Sequence, residues 1–479
     1  MNKQSVVLVG GSLSVMIGAL ELANKDIKVV ILNSTKSWGG HFSPINLRGT
    51  DYDGGMILYE FTSFNSPDQE GDILTYDPWK RNDSGRFCRS IYNFVSRYVH
   101  THKIDAPKMY LNGVLFDDAL ISNRLNSLKH IFVHGAAEKE LEIICSAVDR
   151  HPLHASFKII SDLFKTSSYE EASLINHGPS IHESLMEPFC KKVINRSSRD
   201  IVALYHRVPW LPLFYPETLL SFIQDRPPQL PPTDFSYPMG HCASDFSKRL
   251  FAEIETKKNI SLNTRDRLLG IKVDDLGKYC LELDSGQILS ADQLAWGAEN
   301  STLLAALGIS EKKQVYEKCS VGLLFLRLPS ERILQKFTVL NVIDANVGIY
   351  RITNQTRCAG IDASMANLVS EINIDYAESI LGCPADERNL IDLMLHELSS
   401  LGVIANKESH DLVVLKQLKN TMMVPNRSNR DFFLIENKAI LDILPNINLL
   451  GPASGFLSSS FNDQVVQGLK LARLLGGLA

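Results

Sequence analysis

Val6-Val7-Leu8-Val9 contains no polar residue and has the pattern of a short strand buried on both faces. Gly10-Gly11-Ser12 then marks a tight turn, after which Val15, Ala19 and Leu22 recur at helical spacing to about Asn24. A second apolar run, Ile27-Lys28-Val29-Val30-Ile31-Leu32, follows at once. Strand, turn, helix and strand in this order make a βαβ unit, whose right-handed crossover places the two strands parallel in one sheet.

Between residues 60 and 235 the pattern is irregular, with helical stretches around Phe87–Val99 and Glu138–Val148 and a proline-rich Gln224–Pro232. A mostly helical region with long loops is expected there. Order returns at Pro238-Met239-Gly240-His241, a turn followed by an amphipathic helix through Ala252. Strands are expected at Ile260–Asn263, Leu268–Val273, Tyr279–Leu283 and Gln293–Trp296. Residues 310–435 read as a mixed unit, with strands at Val321–Leu328 and Val347–Ile352 and a helix near Ala385–Ser400. The chain ends with strand-like Ile447–Leu450, a Gly/Ser-rich loop and a helix from about Asn462 to Leu475.

The net charge of −5 offers no overall field for gripping nucleic acid or an anionic membrane. Eight cysteines stand singly, without Cys-x-x-Cys or a zinc-like Cys/His spacing, so no metal site is expected. Val6–Leu22 imitates a signal-peptide core, but Gly10, Gly11, Ser12, Ser14 and Glu21 interrupt it. With no long apolar run elsewhere, the expectation is a cytoplasmic protein without a membrane span, for which a homodimer stays open. P-loop, His-Glu-x-x-His and Gly-x-Ser-x-Gly sequences are missing, which leaves nucleotide hydrolysis, zinc proteolysis and serine-hydrolase chemistry without support.

A dinucleotide-binding turn needs three glycines, for the turn, for backbone approach to pyrophosphate and for close helix packing. Here those positions are Gly10, Ser12 and Val15. Ser12 adds a hydroxyl that can itself bond a phosphate, whereas Val15 is expected to push the helix off the strand. The second strand ends in Asn33 where an acidic residue would grip the adenosine ribose. An amide oxygen can still accept one such bond.

Four further stretches carry a resemblance: Trp38-Gly39-Gly40-His41 with Asp53-Gly54-Gly55; Tyr237-Pro238-Met239-Gly240-His241; Leu262–Arg265 through Asp284-Ser285-Gly286 to Trp296; and Gly451-Pro452-Ala453 with Asn462-Asp463-Gln464-Val465. In this order the chain resembles the FAD-dependent superfamily of amine oxidases, protoporphyrinogen oxidase and UDP-galactopyranose mutase. The resemblance implies an α/β fold. Its Rossmann-type FAD-binding domain would be built from residues 1–60, 236–305 and 436–479, with an inserted mixed α+β substrate domain from 61–235 and 306–435. It also implies FAD as cofactor, held by Gly10, Gly11, Ser12, Asn33, Gly39, Gly40, His41, Gly451, Asn462, Asp463, Gln464 and Val465.

The stretch Tyr350-Arg351-Ile352-Thr353-Asn354 resembles the mutase strand that directs an arginine toward the sugar nucleotide or flavin. A guanidinium binds phosphate oxygens as a planar fork, so Arg351 and Tyr350, with Arg207 and Lys192, are expected to receive a small anionic substrate such as a sugar nucleotide. An arginine in a plain salt bridge is the competing reading. His41 and His241 follow glycine loops and are candidate acid–base groups, or else satisfied structural histidines. Where mutases carry a histidine, this chain has Gly54-Gly55-Met56-Ile57, a departure that weighs against mutase chemistry. An FAD-dependent oxidoreductase is therefore expected, with a redox-neutral mutase or a cofactor-poor binding homologue as alternatives.

Overall fold

The computed structural model describes residues 5–35, 37–61, 71–79, 83–117, 135–147, 162–226, 234–309, 315–405, 410–455 and 460–477. Its first sheet is five-stranded and parallel, in the order Ile260–Asn263, Lys28–Leu32, Ser5–Val9, Gln293–Trp296, Asn448–Leu449. Residues from both ends and the middle of the chain thus share one sheet. The first strand is apolar throughout because both its faces are covered. Val6 and Leu8 pack with the helix Leu13–Ala23 and the C-terminal helix Phe461–Leu475. Val7 and Val9 pack on the other side with Tyr279, Leu281 and Leu283 of a three-stranded antiparallel sheet.

The C-terminal helix lies directly on the first helix. A Cβ at Gly468 would come 2.6 Å from Ile17 Cβ and 2.8 Å from the Ser14 carbonyl, so only a hydrogen side chain permits this approach. Gly18 does the same for Leu471 Cδ2, at 2.8 Å.

The inserted unit is built on a seven-stranded sheet, ordered Leu412–Met423, Lys318–Pro329, Met365–Asn373, Ile349–Asn354, Val339–Val342, Lys108–Leu111, Val114–Phe116. Two of these strands fall in the region expected to be mostly helical. Lys108–Leu111 is too short to declare a period, and it is fixed by parallel pairing with Val339–Val342. Met365–Asn373 and Leu412–Met423 were also unforeseen; the second carries Lys416, Gln417 and Lys419, which blur its alternation. The Val347–Ile352, Ala385–Ser400 and C-terminal expectations match Ile349–Asn354, Glu387–Ser400 and Phe461–Leu475.

Gly468→Val should lower stability by about 1–3 kcal/mol through overpacking of the two helices. Helix propensity alone would favour the valine. Chemical denaturation of the two proteins checks the sign.

Candidate active site

The first turn is built around Gly10, whose φ of +109° suits only glycine. A Cβ there would lie 2.8–2.9 Å from the backbone of Gly297 and Ala298. Gly11 is equally confined, by the Ser37 carbonyl and the Asn33 amide. Ser12 caps the first helix, its hydroxyl accepting from Val15 N–H at 3.4 Å. Val15 does not need to push the helix away, because the neighbouring strand ends in Gly297, and a Cβ on Gly297 would strike Val15 Cγ2. The small residue that the helix lacks is supplied by the strand it faces.

Gly39, at φ +96°, donates its N–H to the Gly11 carbonyl at 2.7 Å, and a Cβ on it would meet Ser247 at 2.8 Å. Gly40 adopts φ +57° with no protein atom near its missing side chain. Gly451 closes the turn from the other end of the chain: its N–H donates to Gln467 Oε1 at 2.6 Å, and its Cβ position lies 3.4 Å from Ser12 Oγ. Gln464 accepts from Ser14 N–H at 3.2 Å. Asn462 donates to the Glu60 carbonyl at 2.6 Å, while its Oδ1 and Gln467 Nε2 are buried without a partner. Asp463 is raised above the ordinary carboxylate value by burial and accepts from Tyr76 OH at 3.0 Å; Val465 is core.

Asn33 turns inward. Its Oδ1 accepts from Thr35 Oγ1 at 2.8 Å and its Nδ2 donates to the Ser37 carbonyl at 2.8 Å, so both halves of the amide serve their own loop. Asn33→Glu would remove the donor to Ser37 and crowd Gly11. We expect a loss of about 1–3 kcal/mol in stability, read by thermal unfolding, in place of any gain in ribose binding.

The inserted sheet brings its own chemistry to the His41 loop. Arg351 and Glu371 are register partners on adjacent strands, both buried, with Nη1 of the arginine 3.5 Å from the carboxylate. Arg351 also lies over the Trp210 ring at 5.3 Å and reaches Asn341 Oδ1 at 3.4 Å. Glu371 accepts from Tyr350 OH at 3.1 Å and, across the junction between the units, from Met56 N–H at 3.0 Å. Thr353 Oγ1, two residues along the same strand as Arg351, has no partner.

The His41 side chain is exposed, yet protein surrounds its ring. That enclosure depresses its pKa below the ordinary 6.5; Glu371 and Asp53 pull upward and Arg351 downward, which places all three charges in its surroundings. Asp53 anchors the loop, accepting from Ser244 N–H at 2.8 Å, Ala243 N–H at 3.1 Å and Tyr237 OH.

Other expected residues lie apart from this group. His241 lines a separate pocket and accepts from Arg249 at 3.0 Å. Arg207 pairs with Glu60 at 2.8 Å. Lys192 is wholly buried, its ammonium bonded to the carbonyls of Val342, Asp344 and Ile349, and burial lowers its pKa to about 7. Sequence reading missed Glu371, Asp53 as an anchor, and Gln467. A signal for Glu371 did exist, since it is the lone charge in apolar Leu368–Ile372, matching the lone Arg351 in its own strand.

No protein-family model and no curated protein matches this sequence. In three dimensions the chain is similar to a reduced UDP-galactopyranose mutase, with a TM-score of 0.69 and 14% identity over 100% of this chain and 95% of that one. It is similar to a putative protoporphyrinogen oxidase from Exiguobacterium sp. 255-15 (0.63, 14%, all of both chains). It is also similar to cyclohexylamine oxidase from Brevibacterium oxydans IH-35A (0.59, 12%, 99% of each). The chain shares the overall fold of these solved structures. Among the described residues no helix is long and apolar enough to cross a membrane, and no cluster is suited to a metal ion.

Glu371→Ala leaves Arg351 buried and unpaired, and should cost about 3–5 kcal/mol. Glu371→Gln, which keeps an acceptor for Met56 N–H, should cost less. Urea denaturation of both variants measures the difference.

Proposed function

We propose that the chain is an FAD-dependent oxidoreductase. The observation that carries the reading is the turn at Gly10–Ser12, where a glycine cradle too tight for any side chain opens a helix N-terminus at the carboxyl edge of a parallel sheet. The unpaired Asn462 Oδ1 and Gln467 Nε2, on the helix that closes the same turn, suit a ligand bearing both donors and acceptors. FAD, when bound, supplies an acceptor for substrate hydride. Gly10, Gly11 and the Leu13 N–H would hold its phosphates, the Ser14 and Val15 N–H groups being taken by Gln464 and Ser12, and the Gly39-Gly40-His41 loop would border it. His41, neutral at pH 7, can take a proton at a ring nitrogen.

Of the four residues proposed for an anionic substrate, Arg351 is the one whose charge acts on His41, and Tyr350 shares the Glu371 carboxylate with it. The Arg351–Glu371 contact of 3.5 Å is long for an ion pair, which leaves the guanidinium open to a competing phosphate or carboxylate. A redox-neutral mutase is the second reading, favoured by the full-length likeness to UDP-galactopyranose mutase. Consumption of an electron acceptor per turnover separates the two.

The visible spectrum of the purified protein is the first test: flavin bands, with FAD released on denaturation, are expected. A colourless protein that also fails to take up added FAD would support a cofactor-poor homologue, with Gln464 occupying Ser14 N–H. With FAD bound, a titration from neutral to acid pH should show a flavin absorbance change with its midpoint below 6.5, as His41 gains its charge. His41→Gln should abolish it; a midpoint unchanged in that variant assigns the titration elsewhere.

A further inference from the structure

A second pocket, of about 220 Å³, opens where the two units meet away from the His41 group. Thr50, Asp51 and the Gly240–Cys242 loop with Asp245 line it from the first unit; Gln355, Thr356, Ala359, Ile361 and Asn367 line it from the second. Two interdomain hydrogen bonds flank it, Gly240 N–H to the Ala359 carbonyl at 2.8 Å and Tyr52 OH to Asn367 Oδ1 at 3.2 Å. Gln355 is 4% exposed, and among the described residues neither its Oε1 nor its Nε2 has a partner. A buried amide left unbonded on both sides is a costly thing to retain and calls for a ligand or water.

The charges of the pocket are already balanced. Asp51 is paired with Lys248 at 2.7 Å and Asp245 with Arg249 at 2.6 Å. His241 accepts from Arg249 at one ring nitrogen and has Asp245 3.7 Å from the other. Burial raises the Cys242 thiol to about 12, so no thiolate contributes. An ion would find no uncompensated counter-charge. What remains is a set of amides and hydroxyls presenting donors and acceptors side by side, with Ala359 and Ile361 as apolar ground. A hydroxyl can donate to some of these atoms and accept from others, and carries no charge.

We infer that this pocket binds a small uncharged polyhydroxylated molecule, of monosaccharide size, with Gln355 as a principal hydrogen-bonding residue. The inference is independent of the flavin reading, since none of its residues belongs to the proposed cofactor or substrate groups except His241, which it reassigns. Seated across the junction, such a ligand would tie the two units together.

Saturation-transfer NMR and thermal melts of the full chain with galactose, glucose and N-acetylglucosamine test it, alongside Gln355→Leu. We expect at least one sugar to bind and raise the melting temperature. Gln355→Leu should bind that sugar at least tenfold more weakly while melting no lower than wild type, because the substitution removes an unbonded amide. Absence of binding by all three sugars overturns the inference, as does a Gln355→Leu protein that binds equally well. A Gln355→Leu protein that melts several degrees lower also overturns it, since the amide would then be bonded to structural water.

Discussion

The contact between the first helix and the C-terminal helix is the constraint on which the rest depends. Gly468 lets the two axes approach until Ile17 touches backbone, and Gln464 takes the Ser14 N–H that would otherwise be an orphan at the helix N-terminus. Through this contact Gly451 and Gln467 are brought to the first glycine turn from more than 400 positions away. Without it the first helix would keep one face bare, and the turn would have no wall opposite.

The junction between the units has a different character. Two buried carboxylates act there: Glu371 crosses the junction, and Asp53 fixes the loop on one side of it. Asp53 binds the loop after the glycine pair to the start of the helix at Asp245, and Glu371 binds the same region to the inserted sheet. Carboxylates fixed by main-chain N–H groups set distances sharply, because each bond is charge-assisted and directional. His41 and Arg351 both feel the Glu371 charge that this scaffold holds in place.

How much of this was legible depended on the range of the physics involved. The βαβ unit, the closing strands and the C-terminal helix follow from local apolar period and glycine placement, and these were readable. The strands at Lys108–Leu111 and Leu412–Met423 owe their form to partners distant in sequence, so no local pattern announced them. Among the residues expected at the site, Gly10 and Gly39 adopt backbone geometry that favours glycine, and Gly11 is confined by Asn33 and Ser37. Arg351 was found through resemblance, but its counter-charge Glu371 depends on sheet register. Lys192 misled because a lone cation in sequence says nothing about whether carbonyls enclose it. Asn33 misled in a similar way: position at a strand end was visible, side-chain direction was not.

The interleaving of the parallel sheet has a consequence for how the protein must be made. Its central strand is synthesised first, but the neighbours on its two sides come from residues 28–32 and 293–296, and the last strand from 448–449. During translation the N-terminal βαβ unit therefore emerges with both strand edges open until residues 260–296 have followed, and with a helix face uncovered until Phe461–Leu475 has. Contacts of such long sequence separation form slowly, and the exposed apolar surface in the interval is the kind that aggregates or engages chaperones.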